Sequence, residues 1–138
     1  MTHPRLGLTF ASLMPLGPVL ATETAREAAE LGYRSFWTAE TTGPEAFSLL
    51  AAVGAAAPSL GLGTGVLALQ LRTPMVVAMA GATLQALHPD RDIVLGVGIS
   101  SPVISRNVRA MRLAIGTPRV RTPTSARSSV PLLRSTIS

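Results

Sequence analysis

Cysteine is absent from the 138 residues, and so is lysine. Without thiols the chain can form neither disulfides nor thiolate metal sites, and its two histidines, His3 and His88, lie too far apart in sequence to suggest an imidazole metal centre. Aromatic residues make up 4% of the chain, so the core has to come from the Ala, Leu and Val that dominate its 47% hydrophobic content. That palette suits helices packed on a buried parallel sheet. Long apolar runs are missing too: Gly, Pro, Thr and Arg break each candidate well short of the roughly 18 residues of a membrane span. Met1 to Arg5 lead into too short an apolar stretch for a secretion signal, and the expectation is a cytoplasmic protein outside the membrane.

Negative charge is missing from one end. All seven acidic residues precede position 93 and, against five arginines, leave residues 1–105 at −2. The last 33 residues carry seven arginines and no acid, among Ser, Thr and Pro. A compositional break near Ser105 therefore separates a folded unit, 1–105, from a basic tail, 106–138, expected to be irregular. Twelve arginines beside no lysine are the mark of a GC-rich gene, in which a shifted reading frame yields Arg, Ser, Pro and Thr codons. Frame-shifted or truncated translation and a natural basic tail both fit. The tail arginines have no aromatic among them and no helical period, so they promise charge attraction but no specific nucleic-acid recognition.

What is present is a repeated strand and helix. Leu6 to Phe10 is a short apolar run, with Pro15 and Pro18 in the loop behind it. A helix from about Val19 to Leu31 shows Ala25, Ala28 and Ala29 on one face and Glu23, Glu27 and Glu30 on the other, with Gly32 as its stop. Ser35 to Ala39 is a second strand, ending on Glu40. Pro44-Glu45 reads as the first turn of a helix whose inner face is Phe47, Leu50, Ala51 and Gly54. Leu60 to Val66 is a third strand with glycine at 61, 63 and 65, a bare surface that a ligand or another backbone can approach. Thr73-Pro74 caps a helix with Val76, Val77, Ala80, Leu84 and Leu87 on its apolar face, ending at His88-Pro89-Asp90. Asp92 to Gly98 has the continuous apolar character of a strand buried on both faces.

Four βα-type units in this order predict an α/β fold with a parallel sheet. A doubly wound sheet would carry a phosphate fingerprint at the first strand-helix turn, and Leu6 to Pro18 has none. A (β/α)8 barrel places functional residues at the C-terminal ends of its strands, and here Thr9-Phe10, Glu40-Thr41, Gly65-Val66 and Ser100-Ser101 stand there. Gly63-x-Gly65-x-x-Ala68, with Asp90 further on, also meets a relaxed dinucleotide pattern. Its helix, however, starts too late to face a pyrophosphate.

The motifs Ala29-Glu30-Leu31-Gly32-Tyr33-Arg34-Ser35-Phe36-Trp37, Ala39-Glu40, Leu62-Gly63-Thr64-Gly65-Val66, Arg72-Thr73-Pro74 with Ala82-Thr83-Leu84, and Leu95 to Gly98 followed by Ser100 to Ile104 carry a resemblance. In their order and spacing, residues 1–104 resemble the bacterial luciferase-like flavin and deazaflavin oxidoreductases, in particular the coenzyme F420-dependent branch. The resemblance implies the N-terminal half, about four βα units, of a (β/α)8 TIM barrel that needs about 250 residues when whole. It implies hydride transfer between a deazaflavin and an organic small-molecule substrate, with FMN and flavin-dependent oxygenation as the alternative.

The resemblance also assigns residues. Glu40 would sit at the barrel mouth, able to orient the ring edge or hold a substrate polar group, and a solvated loop acid is the plain alternative. Many relatives carry a histidine next; here it is Thr41, which leaves a hydrogen-bond donor and no imidazole chemistry. Gly65-Val66 matches the place where deazaflavin relatives carry a non-prolyl cis peptide behind the ring, and Ile99, Ser100 and Ser101 match a loop lining it. Trp37 is expected as a core aromatic and His88 as a solvated loop residue. A half-barrel leaves its first and fourth strands with unpaired edges, so a weak or inactive chain, and homodimerisation through those edges, are expected. A non-catalytic binding module with a basic tail is the reading from another class.

Overall fold

The computed structural model describes residues 6–99 and Arg106. Its strands are β1 (Gly7–Thr9), β2 (Ser35–Thr38), β3 (Gly61–Ala68) and β4 (Ile93–Gly98), and its helices are α1 (Pro18–Glu30), α2 (Ala46–Ala56) and α3 (Pro74–Leu87). Short 3-10 turns occupy Ala11–Leu16 and Leu69–Leu71. All strand pairs are parallel, in the order β1-β2-β3-β4.

That order separates the two architectures the sequence allows. A doubly wound sheet reverses its strand order and covers both faces; here each strand is laid beside the last and the helices share one face. Alternation along the strands turns Phe36, Leu62 and Leu95 toward the helices, where they meet Ala21 and Ala25 of α1, Leu50 and Val53 of α2 and Leu84 of α3. Burying a Leu or Phe side chain fully contributes roughly 1.5–3 kcal/mol, and Phe36, Leu50 and Leu62 are all buried to 1% exposure or less. The sheet is a segment of a barrel wall, consistent with a partial TIM barrel.

The opposite face is bare among the described residues, and this overturns the expectation that β4 is buried on both sides. Val97, which alternation turns with Leu95 to the helix side, is still 50% exposed, and Val94, on the bare face, is 48% exposed because nothing described packs there. On the same face Trp37 is half-buried, not a core residue, with its indole N–H donating to the Ser35 hydroxyl at 2.8 Å. Gly63 makes room for it: a Cβ there would lie 2.4 Å from the indole.

The helices start and stop for local reasons. Pro18 occupies the first position of α1, and Gly32, at φ 83°, takes the left-handed conformation that ends it. Glu45 stands one step earlier than expected: it is the N-cap of α2, its carboxylate accepting from the amides of Phe47 and Ser48 at 2.9 and 2.8 Å. Thr73 caps α3 by accepting from the Val76 amide at 3.4 Å. The buried face of α3 is narrower than its periodicity promised, since Gly81 and Leu84 are buried whereas Val76 and Leu87 are exposed. His88 is buried, not solvated. As the C-cap of α3 it packs against α2 over Gly54, where a Cβ would meet its Nε2 at 2.4 Å, and Nε2 has no hydrogen-bond partner.

Candidate functional site

The C-terminal ends of β2, β3 and β4 form one edge of the sheet. Past the end of β2 the Glu40 amide donates to the Val66 carbonyl at 2.9 Å, prolonging the contact between the two strands. The Glu40 side chain is 6% exposed. One carboxylate oxygen, Oε2, accepts from the Ala68 amide at 3.2 Å, and Arg72 Nε donates to Oε1 and Oε2 at 2.8 and 3.1 Å. Arg72 Nη2 also donates to Glu40 Oε1 and to Glu45 Oε1.

Arg72 reaches this position from the turn between β3 and the cap of α3, and its guanidinium lies 5.1 Å over the Phe47 ring. One cation thus ties β2, the start of α2 and the lead-in to α3. Hydrogen bonding to Glu40 holds its proton more tightly than in a free arginine. Burial works to raise the Glu45 pKa, but the Ser48 side chain, the Ser48 and Phe47 amides and Arg72 outweigh it and bring it down to about 2. Beside these groups lies an open cleft of about 320 Å³, lined by Glu40, Thr41, Gly43, Pro44, Glu45, Leu71 and Arg72.

On β3 the register slips. Thr64 pairs with Leu95 but Leu67 pairs with Val97, so Gly65 and Val66 together stand opposite Gly96 alone, a β-bulge. The Gly65–Val66 peptide is cis. Thr64 donates its hydroxyl to the Gly96 carbonyl at 3.0 Å, and Gly96 is required by the close approach, since a Cβ would fall 2.3 Å from the Thr64 carbonyl oxygen. At Gly98 a Cβ would meet Val66 at 3.0 Å. Gly65 and Val66 themselves are exposed, and the space over Gly65 is free except for Trp37 at 3.8 Å. The result is a shelf of backbone, open on the bare side of the sheet. Bare at Gly65 and bordered by the Val66 side chain, it leaves room for a planar ring, and a side chain at Gly65 would rise into that space.

Of the residues singled out from the sequence, Glu40, Gly65 and Val66 are brought together by the β2–β3 contact. Thr41 lines the cleft beside Glu40, with its hydroxyl 3.5 Å from Met14 Sδ, and Ile99 follows the end of β4 at 86% exposure. Ser100 and Ser101, and the tail apart from Arg106, lie outside the described residues. Sequence reasoning placed Arg72 at a helix start and missed its part in the site. The signal was there: between Glu45 and Asp90, Arg72 is the single charged side chain.

The sequence profile of the luciferase-like monooxygenases matches residues 16–123, more than half of the chain and past the compositional break. A Mycobacterium tuberculosis protein that carries the name coenzyme F420-dependent oxidoreductase is 36% identical over 100 residues, covering 72% of this chain and 28% of its own length. Among solved structures, coenzyme F420-dependent tetrahydromethanopterin reductase of Methanopyrus kandleri superposes with a TM-score of 0.69 at 16% identity, covering 78% of this chain and 30% of that one. The oxygenating constituent of 3,6-diketocamphane monooxygenase of Pseudomonas putida, a type II Baeyer-Villiger monooxygenase in complex with FMN, does so at 0.68 and 19%, covering 81% and 34%. The two structures speak for the fold; the profile and the mycobacterial relative speak for descent, and the chain spans less than a third of that relative's length. On these grounds the chain belongs to the luciferase-like monooxygenase family.

Proposed function

We propose that this chain contributes the ring-holding edge of an F420-dependent luciferase-like oxidoreductase, one that exchanges hydride between a deazaflavin and an organic small molecule. The observation that carries the reading is the exposed Gly65-Val66 shelf at the C-terminal edge of a parallel sheet, in a chain 36% identical to a protein named for F420. When bound, the ring supplies the redox chemistry, and the protein's part is placement. Gly65 and Val66 offer backbone beneath the ring. Thr41 offers a hydroxyl from the neighbouring cleft, and Ile99, Ser100 and Ser101, which follow β4 in the sequence, are the further residues proposed to contact the ring. Arg72 is committed to two carboxylates and is not the partner of a cofactor phosphate.

An FMN-dependent monooxygenase is the second reading, favoured by one observation: the shelf is backbone, which makes no contact that tells a flavin from a deazaflavin. In either case the described residues supply four parallel strands of the kind that build a barrel wall, and weak or absent turnover by the isolated chain is part of the proposal. Among the described residues β1 and β4 each have a neighbour on one side only, and those edges suit pairing between two copies of the chain. Equilibrium dialysis of the full chain against F420 and against FMN tests the cofactor. The reading expects saturable uptake with F420 the tighter, and uptake of neither overturns it. A non-catalytic module acting through its basic tail would instead bind an acidic partner with steep salt dependence.

A further inference from the structure

Both oxygens of Glu40 are spent. Oε1 takes two donors from Arg72, and Oε2 takes the Ala68 amide and a share of Arg72 Nε. With its side chain 6% exposed, Glu40 has no free oxygen turned toward a substrate, so a role as acid, base or ring ligand would require breaking the pair. What it does hold is the bulge. Its amide donates to the Val66 carbonyl, at the end of the shelf, and its carboxylate takes the amide of Ala68, two residues on. The shelf is thus gripped from outside its own strand, by a residue whose orientation is set by Arg72.

We infer that Arg72, acting through Glu40, is a positioning residue: it holds the Gly65-Val66 shelf at the place where a flat ring is to lie. The shelf itself cannot do this. At the bulge the β3–β4 pairing skips Gly65 and Val66, so they lack the ladder partners that fix the rest of β3. The grip on the β2 side replaces them. The planar fork of Arg72 spans Glu40 and the capping Glu45 at once, and its face rests on Phe47, so the clasp is indexed to the start of α2. A lysine ammonium could meet one carboxylate but could not span both while lying flat on the ring.

The inference rests on the ring-holding reading above, and the experiment separates the two. Amide hydrogen exchange of the full chain without cofactor compares Ala68, which donates to Glu40, with Leu62, which donates to the Asp92 carbonyl lower on the same strand. Arg72→Met is expected to speed exchange at Ala68 by about tenfold or more beyond any acceleration at Leu62, which reports the loss of global stability, the excess being the effect of losing a charge-assisted hydrogen bond locally. Arg72→Lys, which keeps the charge should the methionine variant fail to fold, is expected to fall between it and the wild type. Affinity for F420, or for FMN if dialysis selects it, should weaken in the same rank order. Equal acceleration at both amides, no change at Ala68, or unchanged affinity despite a loosened Ala68 would each overturn the inference. Selective loosening of Ala68 in a chain that binds neither ring would uphold the clasp and overturn the ring-holding reading.

Discussion

A methyl group at residue 96 would lie 2.3 Å from the Thr64 carbonyl oxygen, closer than two such atoms can sit. The obstruction is backbone, so it cannot swing aside, and Gly96→Ala is expected to cost about 1–3 kcal/mol, as overpacking does, and to lower the melting temperature. Gly81→Ala is the control: its Cβ would meet only Leu95 Cδ1, at 2.6 Å, the far end of a side chain that can turn, so its effect should be distinctly smaller. Leaving Glu40 buried without Arg72 is expected to cost about 3–5 kcal/mol in urea unfolding, and replacing both by an apolar pair should cost less than either single change. Glu45 sets an acid limit. Its folded pKa of about 2 lies below the ordinary 4.5, so its stabilising contribution is complete above pH 4.5 and is lost as the pH falls through about 2. Glu45→Gln should flatten that part of the stability-against-pH curve, and an unchanged curve would show that other carboxylates set it.

At the scale of elements, the parts readable in the sequence were those decided by neighbours in the chain. Gly32 as the stop of α1 and Thr73-Pro74 as the start of α3 are local chemistry, and both are found. Gly32→Ala, which forces an L-residue to φ 83°, is expected to cost about 1 kcal/mol in thermal unfolding, with helix content retained. Misread parts were decided by something distant. The apolar run of β4 has the composition of a strand covered twice, yet Val94 is exposed because the barrel interior it would line is not closed by the described residues, and Val97, on the helix side, is exposed where no described helix reaches it. His88 beside Pro89 has the look of a surface turn, and only the packing of α3 on Gly54 of α2 buries it. Glu40 stood out through its place at a strand end, whereas Arg72, 32 residues away, became visible as its partner only in three dimensions.

For the molecule as a whole, the motifs indicated a barrel segment, and the monotonic strand order with one covered face agrees with it. Among the described residues β1 and β4 each have one neighbour, and the uncovered face carries exposed valines, so the chain is expected to self-associate as concentration rises. Sedimentation should show association that persists in high salt. Association abolished by salt would transfer the effect to the arginine-rich tail. For the proposed seat of a flat redox ring on the Gly65-Val66 shelf, Trp37 is a built-in reporter: the only tryptophan, 3.8 Å from where a Gly65 side chain would begin. The direct measurement is Trp37 emission during titration of the full chain with F420 and with FMN, repeated on Gly65→Val. Saturable quenching that the valine variant weakens is the predicted result; quenching that never saturates, or that Gly65→Val leaves unchanged, would contradict it.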